Sequence, residues 1–93
     1  MAKATARHIL VSSLEDCENL KAEIAGGKDF AEAAMENSTC PSGQNGGDLG
    51  EFGPGMMVKE FDEVVFSAPL NEVQGPVQTQ FGYHLLEVTS RED

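Results

Sequence analysis

The run Gly75-Pro76-Val77-Gln78-Thr79-Gln80-Phe81-Gly82-Tyr83-His84-Leu85-Leu86-Glu87-Val88-Thr89 reads as two strands joined by a sharp return. Tyr83–Thr89 is a short stretch rich in β-favouring and apolar residues, and Gly75–Thr79 is its partner. Pro76 cannot donate to a ladder, so it fits only the first residue of that strand or a sheet edge. Gly82 lets the chain turn back into the last strand. Upstream, a helix is expected over Glu60–Ser67, with Phe61, Val64 and Val65 on one side and Pro69 unable to continue it. The segment from Cys40 to Gly55 is dense in glycine and proline around Leu49–Phe52, a candidate edge strand. Before it, Asp29 is a candidate N-cap for a helix that turns Phe30, Ala33 and Ala34 inward. Ser12 and Glu15 have the spacing of a capping box. Cys17, Leu20 and Ile24 continue from them as one apolar stripe, which Gly26-Gly27 ends. His8-Ile9-Leu10-Val11 reads as a buried strand. The order β-α-α-β-α-β-β points to an α+β domain with a largely antiparallel sheet.

The 93 residues, 40% of them hydrophobic with five Phe, one Tyr and no Trp, suffice for one modest core. Six Lys and Arg against 16 Asp and Glu give a formal net charge of −10. Phosphate backbones are bound by neutralising cations, so nucleic acid is not an expected partner, nor is an anionic membrane surface. No apolar run approaches a membrane span, and the amino terminus lacks the apolar core of a secretory signal. A soluble, cytoplasmic monomer is expected. Cys17 and Cys40 have neither the number nor the spacing of a disulfide framework or metal site, and are expected to be reduced thiols. The glycine-rich segment lacks the lysine and spacing of a phosphate loop. A zinc site from His8, His84, Cys17 and Cys40 has suitable ligand types but no paired spacing. Neither metal nor cofactor is expected.

Four blocks resemble the parvulin family of peptidyl-prolyl cis/trans isomerases. They are His8-Ile9-Leu10-Val11; Gly47-Asp48-Leu49-Gly50-Glu51-Phe52; Gly55-Met56-Met57-Val58-Lys59-Glu60-Phe61; and Gly75-Pro76-Val77 leading to Phe81-Gly82-Tyr83-His84. They stand in family order across nearly the whole chain, and residues 1–93 are read as one minimal domain. The resemblance implies a four-stranded sheet wrapped by three to four helices, with the first and last strands adjacent at its centre. It implies that His8 and His84 sit side by side on that sheet, and that Met57, Phe61 and Leu49 form a proline pocket with Phe81 nearby. It puts Cys40 close to the substrate carbonyl, where relatives carry Cys or Asp, and Thr79 in a hydrogen bond within the histidine cluster. Two positions depart from the pattern. Glu60 stands where many relatives have Pro or Ala. The segment Val11-Ser12-Ser13-Leu14-Glu15-Asp16 is acidic where phosphate-recognising members are basic, so unphosphorylated substrates are expected.

Rotation about a peptide bond is opposed by about 18–20 kcal/mol of lost resonance. No bond is cleaved, so a thousandfold acceleration needs only about 4 kcal/mol of differential stabilisation. A thioether and a flat ring, Met57 and Phe61, can hold a pyrrolidine without competing hydrogen bonds. Cys40 could attack as a thiolate, donate a weak hydrogen bond, or supply a local dipole; the family's tolerance of Asp favours a non-covalent role. His8 and His84 could act directly or only hold the site in shape. The rival to an isomerase of proline-containing peptides is a non-catalytic peptide-binding or chaperone module on the same fold. A third reading, thiol redox sensing at Cys40, lacks a resolving cysteine nearby in sequence.

Overall fold

In the computed structural model, which describes residues 3–92, the chain forms β1 (Lys3–Val11), α1 (Leu14–Ala25), α2 (Phe30–Asn37), a 3₁₀ turn (Pro41–Asn45), β2 (Asp48–Phe52), α3 (Lys59–Val65), β3 (Val73–Thr79) and β4 (Gly82–Glu92). The four strands make one sheet in the order β2-β1-β4-β3, antiparallel at every pairing. The α+β class and the element order are as the sequence implies, and the central β1–β4 pair is as the resemblance implies.

Alternation along the central strands decides which side chains meet. Ile9, Val11 and Leu85 join Cys17 and Leu20 of α1 and Phe30, Ala33 and Ala34 of α2 in one core cluster. Ala4, Ala6, Leu86 and Val88 point the other way, against Phe61 and Val65 of α3 and Phe52 of β2. Both faces of the central pair are therefore covered, which explains why β1 and β4 read as nearly continuous apolar runs. His8 and His84 share the parity of Ala6 and Leu86, on the α3 face.

Helix boundaries follow local chemistry, with one correction. Ser13, not Ser12, caps α1: its hydroxyl accepts from the Asp16 amide at 3.4 Å, and the helix starts at Leu14. The expected pairing with Glu15 slips by one residue: Ser13, in extended backbone conformation, directly precedes the first helical residue. Asp29 caps α2 as expected, accepting from the Glu32 amide at 3.0 Å. α3 spans Lys59–Val65, so it begins one residue before and ends two residues before the expected helix. Pro76 falls inside β3 rather than at its first residue, but β3 is an edge strand. Its register with β4 shifts between Gln74 and Val77, around the missing donor.

Candidate active site

His8 lies opposite Leu86, and His84 opposite Leu10, in the β1–β4 register. The two histidines are thus diagonal neighbours on one face of the sheet. Their rings stack with centroids 5.2 Å apart, and their Nδ1 atoms are 3.0 Å apart. Phe61, from the first turn of α3, sets its ring edge-on to both, at 5.6 Å from His8 and 5.7 Å from His84. All three residues are buried.

Hydrogen bonds extend the pair in both directions. Thr79 Oγ1 lies 2.8 Å from His84 Nε2 and accepts from the Phe81 amide at 3.2 Å. His8 Nε2 lies 3.0 Å from Ser42 Oγ, and the Ser42 hydroxyl donates to Cys40 Sγ at 3.3 Å. One assignment of protons satisfies every link. If Ser42 donates to sulfur, it accepts from His8 Nε2–H. The bare Nδ1 of His8 then accepts from His84 Nδ1–H, and the bare Nε2 of His84 accepts from the Thr79 hydroxyl. Both imidazoles are neutral in this chain and carry opposite tautomers. Their surroundings favour neutrality: burial, with the nearby His84 ring adding to it, holds His8 down to about 4. Burial also holds His84 below the ordinary histidine value.

In front of this chain lies a surface cavity of about 400 Å³. Leu10, Leu49, Met57, Val58, Phe61 and Phe81 form its apolar wall; His8, His84 and Cys40 contribute its polar side. The structure therefore brings together seven of the eight residues singled out from sequence: His8, Cys40, Leu49, Met57, Phe61, Phe81 and His84. The eighth, Thr79, is behind His84 and touches the cavity only through that ring. Met57 precedes α3 rather than lying within it, so its spacing of four from Phe61 is not a helical stripe. Phe81 is 62% exposed and stands at the rim.

Two backbone positions hold these side chains. Gly47, at φ +85°, presses its backbone against β1 where a side chain would collide with the His8 carbonyl. Its own carbonyl accepts from the His8 amide at 2.9 Å. Gly82, at φ +140°, leaves only 2.6 Å between a would-be Cβ and the Val11 carbonyl. Ser42 was not singled out from sequence. Its signal is faint: Pro41 directly after Cys40 favours the first position of a helical turn, and that 3₁₀ turn swings the Ser42 hydroxyl between sulfur and imidazole. Among the described residues, no group of three or more His, Cys, Asp or Glu side chains is placed to hold a metal ion.

Known proteins resemble the chain in sequence and fold over nearly its whole length. The model of the PPIC-type PPIase domain matches residues 1–92. The chain is 47% identical over 91 residues to the foldase protein PrsA of Geobacillus kaustophilus, covering 97% of this chain and 32% of that one. It spans about a third of the length of the curated relatives it matches. Among solved structures it is similar to the peptidylprolyl isomerase PrsA of Bacillus anthracis, with TM-score 0.96 and 33% identity over 99% of this chain and 43% of that one. It is also similar to NmPin, the parvulin of Nitrosopumilus maritimus, with TM-score 0.86 and 33% identity over 97% of this chain and 98% of that one. With the family model matching residues 1–92 and a stand-alone parvulin sharing the fold, the chain belongs to the PPIC-type peptidyl-prolyl isomerase domains, the parvulins.

Proposed function

We propose that this domain accelerates cis/trans rotation of X–Pro bonds in unphosphorylated peptides and flexible protein segments, and so assists folding. The observation that carries this reading is an apolar cavity whose one polar side is an uncharged hydrogen-bonded chain ending at Cys40. A planar amide is more dipolar than its twisted transition state. Moving the bond from water into a cavity without charge therefore raises the ground state more than the transition state. Met57, Phe61 and Leu49 hold the pyrrolidine while the preceding carbonyl sweeps past Cys40. His8, His84, Ser42 and Thr79 position Cys40 and keep that side neutral; no covalent intermediate is needed. The domain acts as a monomer, without metal or cofactor, in the cytoplasm, where its two free thiols stay reduced; nucleic acid is not among its partners.

The test is exchange spectroscopy on unphosphorylated Ala-X-Pro-Phe peptides with catalytic amounts of protein. Acceleration that falls at least tenfold in Met57→Ala, with the fold unchanged by circular dichroism, supports the reading. Peptide binding in the cavity without any acceleration would leave a binding module instead.

A further inference from the structure

β2 lines the outer edge of β1 only as far as Arg7, which pairs with Asp48. Beyond it the His8 amide still reaches the Gly47 carbonyl, but among the described residues no strand lies opposite Leu10 on this edge. The residues just after α2 take its place. The Leu10 amide donates to Ser38 Oγ at 3.0 Å. The Leu10 carbonyl accepts from the Thr39 amide at 2.8 Å and from the Thr39 hydroxyl at 3.2 Å. The same Ser38 oxygen also accepts from the Cys40 amide at 3.4 Å, since a hydroxyl has two lone pairs. One oxygen therefore joins the strand that carries His8 to the backbone of the thiol that lines the cavity.

Ser38 is itself held from behind. Its amide donates to the Ala34 carbonyl at 2.9 Å, closing α2. Gly43, buried in the 3₁₀ turn, lies so close that a Cβ there would stand 2.9 Å from Ser38 Cβ. The Gly43 amide donates to the Cys40 carbonyl at 2.9 Å, so Cys40 is gripped at its amide by Ser38 and at its carbonyl by Gly43. We infer that Ser38 is a positioning residue of the isomerase, its hydroxyl oxygen setting the height of Cys40 over the proline groove. The inference rests on the proposed function for the part that Cys40 plays. Ser38 does not itself line the cavity, so its effect reaches the substrate through its neighbours. A hydroxyl suits the place because the Leu10 amide, past the end of β2, would otherwise go without a protein acceptor.

The test compares Ser38→Ala with Asp29→Ala, which uncaps the other end of the same helix away from the cavity. Alanine keeps the Cβ that packs on Gly43, so the variant removes the oxygen alone. With unphosphorylated Ala-X-Pro-Phe peptides, Ser38→Ala is expected to lower kcat about fivefold, the effect of losing one ordinary hydrogen bond. KM is expected to hold within about twofold, because Met57, Phe61 and Leu49 still grip the proline. Native Cys40 is expected to react with iodoacetamide about threefold faster or more, its loop being less restrained. Asp29→Ala is expected to change none of these. A kcat kept in folded Ser38→Ala, a change confined to KM, or an equal fall of kcat in Asp29→Ala overturns the inference. If Ser38→Ala does not fold, Ser38→Cys under a reductant, of similar shape but a weaker acceptor, takes its place and is read by kcat alone. If the wild type accelerates no peptide, the isomerase reading fails separately. The placement of Cys40 is then decided by alkylation: a faster rate in Ser38→Ala alone supports it, and equal rates overturn it.

Discussion

Lowering the pH tests the neutral histidine chain most directly. A first added proton enters at His84 Nε2, because only the Thr79 hydroxyl must rotate: Thr79 Oγ1 then accepts from both His84 Nε2–H and the Phe81 amide. The His84 Nδ1–H bond to His8 survives. A second proton has to go to His8 Nδ1, against an imidazolium 3.0 Å away in a buried site. This order accounts for His8 being held as low as about 4 by burial and by His84, with His84 itself also lowered. Both folded values lie below the unfolded one. The stabilisation is therefore fully present above pH about 6.5 and is lost as the pH falls through the folded values. For His8, a drop from 6.5 to about 4 corresponds to about 2–3 kcal/mol once partial water access is allowed for. Against a total of roughly 5–15 kcal/mol for such a domain, this is a large fraction. The 16 acidic residues work in the opposite sense, since their protonation relieves self-repulsion, so the comparison is made with His8→Asn. Its side-chain oxygen can accept the His84 Nδ1–H and does not titrate. Urea unfolding from pH 7 to 4 is expected to show the wild-type advantage over the variant shrinking by about 2–3 kcal/mol. Imidazole ¹H–¹⁵N spectra at pH 7 are expected to show His8 protonated on Nε2 and His84 on Nδ1. A His8 titration midpoint above pH 6, or a pH-independent difference between the proteins, refutes the reasoning.

Gly47→Ala drives a methyl group into the His8 carbonyl at φ +85°, whereas Gly50→Ala at φ +71° meets nothing within 4 Å. Thermal or urea unfolding is expected to cost the first about 3 kcal/mol or more and the second about 1 kcal/mol, the difference being the collision. Ser42→Ala removes two links of the chain and leaves the His8 Nε2–H without its protein acceptor. It is expected to lose about 1–2 kcal/mol of stability and to lower kcat/KM, measured together so that activity is read only on folded protein. Iodoacetamide at pH 8 is expected to alkylate Cys40 and spare Cys17, which is fully buried, with a thiol pushed up to about 11 mainly by burial; mass spectrometry of the native protein checks the order.

Much of the fold is written in one-dimensional signals. Asp29 declares its cap and Gly82 its return, while the central place of the first and last strands follows from the family resemblance. Position within the site is legible where a strand's parity carries it. His8 and His84 face one side because each lies two residues from a side chain of the α3 face, Ala6 and Leu86. What lay beyond reach depends on irregular backbone. Ser12 and Ser13 are equivalent as letters, and only where the helix begins makes Ser13 the cap. Ser42 enters the site through a five-residue 3₁₀ turn that no hydrophobic period marks.

The direction of the chain also bears on what Cys40 does in the proposed mechanism. A thiolate nucleophile needs a nearby base or cation, yet the group next to sulfur is a hydroxyl whose proton already points at it. Moving the thiol proton onto the histidine pair would place an imidazolium in a buried site that holds both rings below the ordinary histidine value, and the Thr79 hydroxyl proton would lose its acceptor. In the assignment that satisfies every link the sulfur accepts from Ser42 and its own S–H is left over. That proton is the only one in the chain not committed to a partner within it, and Cys40 lines the cavity. A weak, uncharged donor suits a carbonyl that becomes less polarised as the amide twists, because a strong donor or a cation would hold the planar state instead. In the proposed mechanism Cys40 therefore serves as a mild guide for the rotating carbonyl rather than as a nucleophile, a role that rests on the hydrogen bond from Ser42.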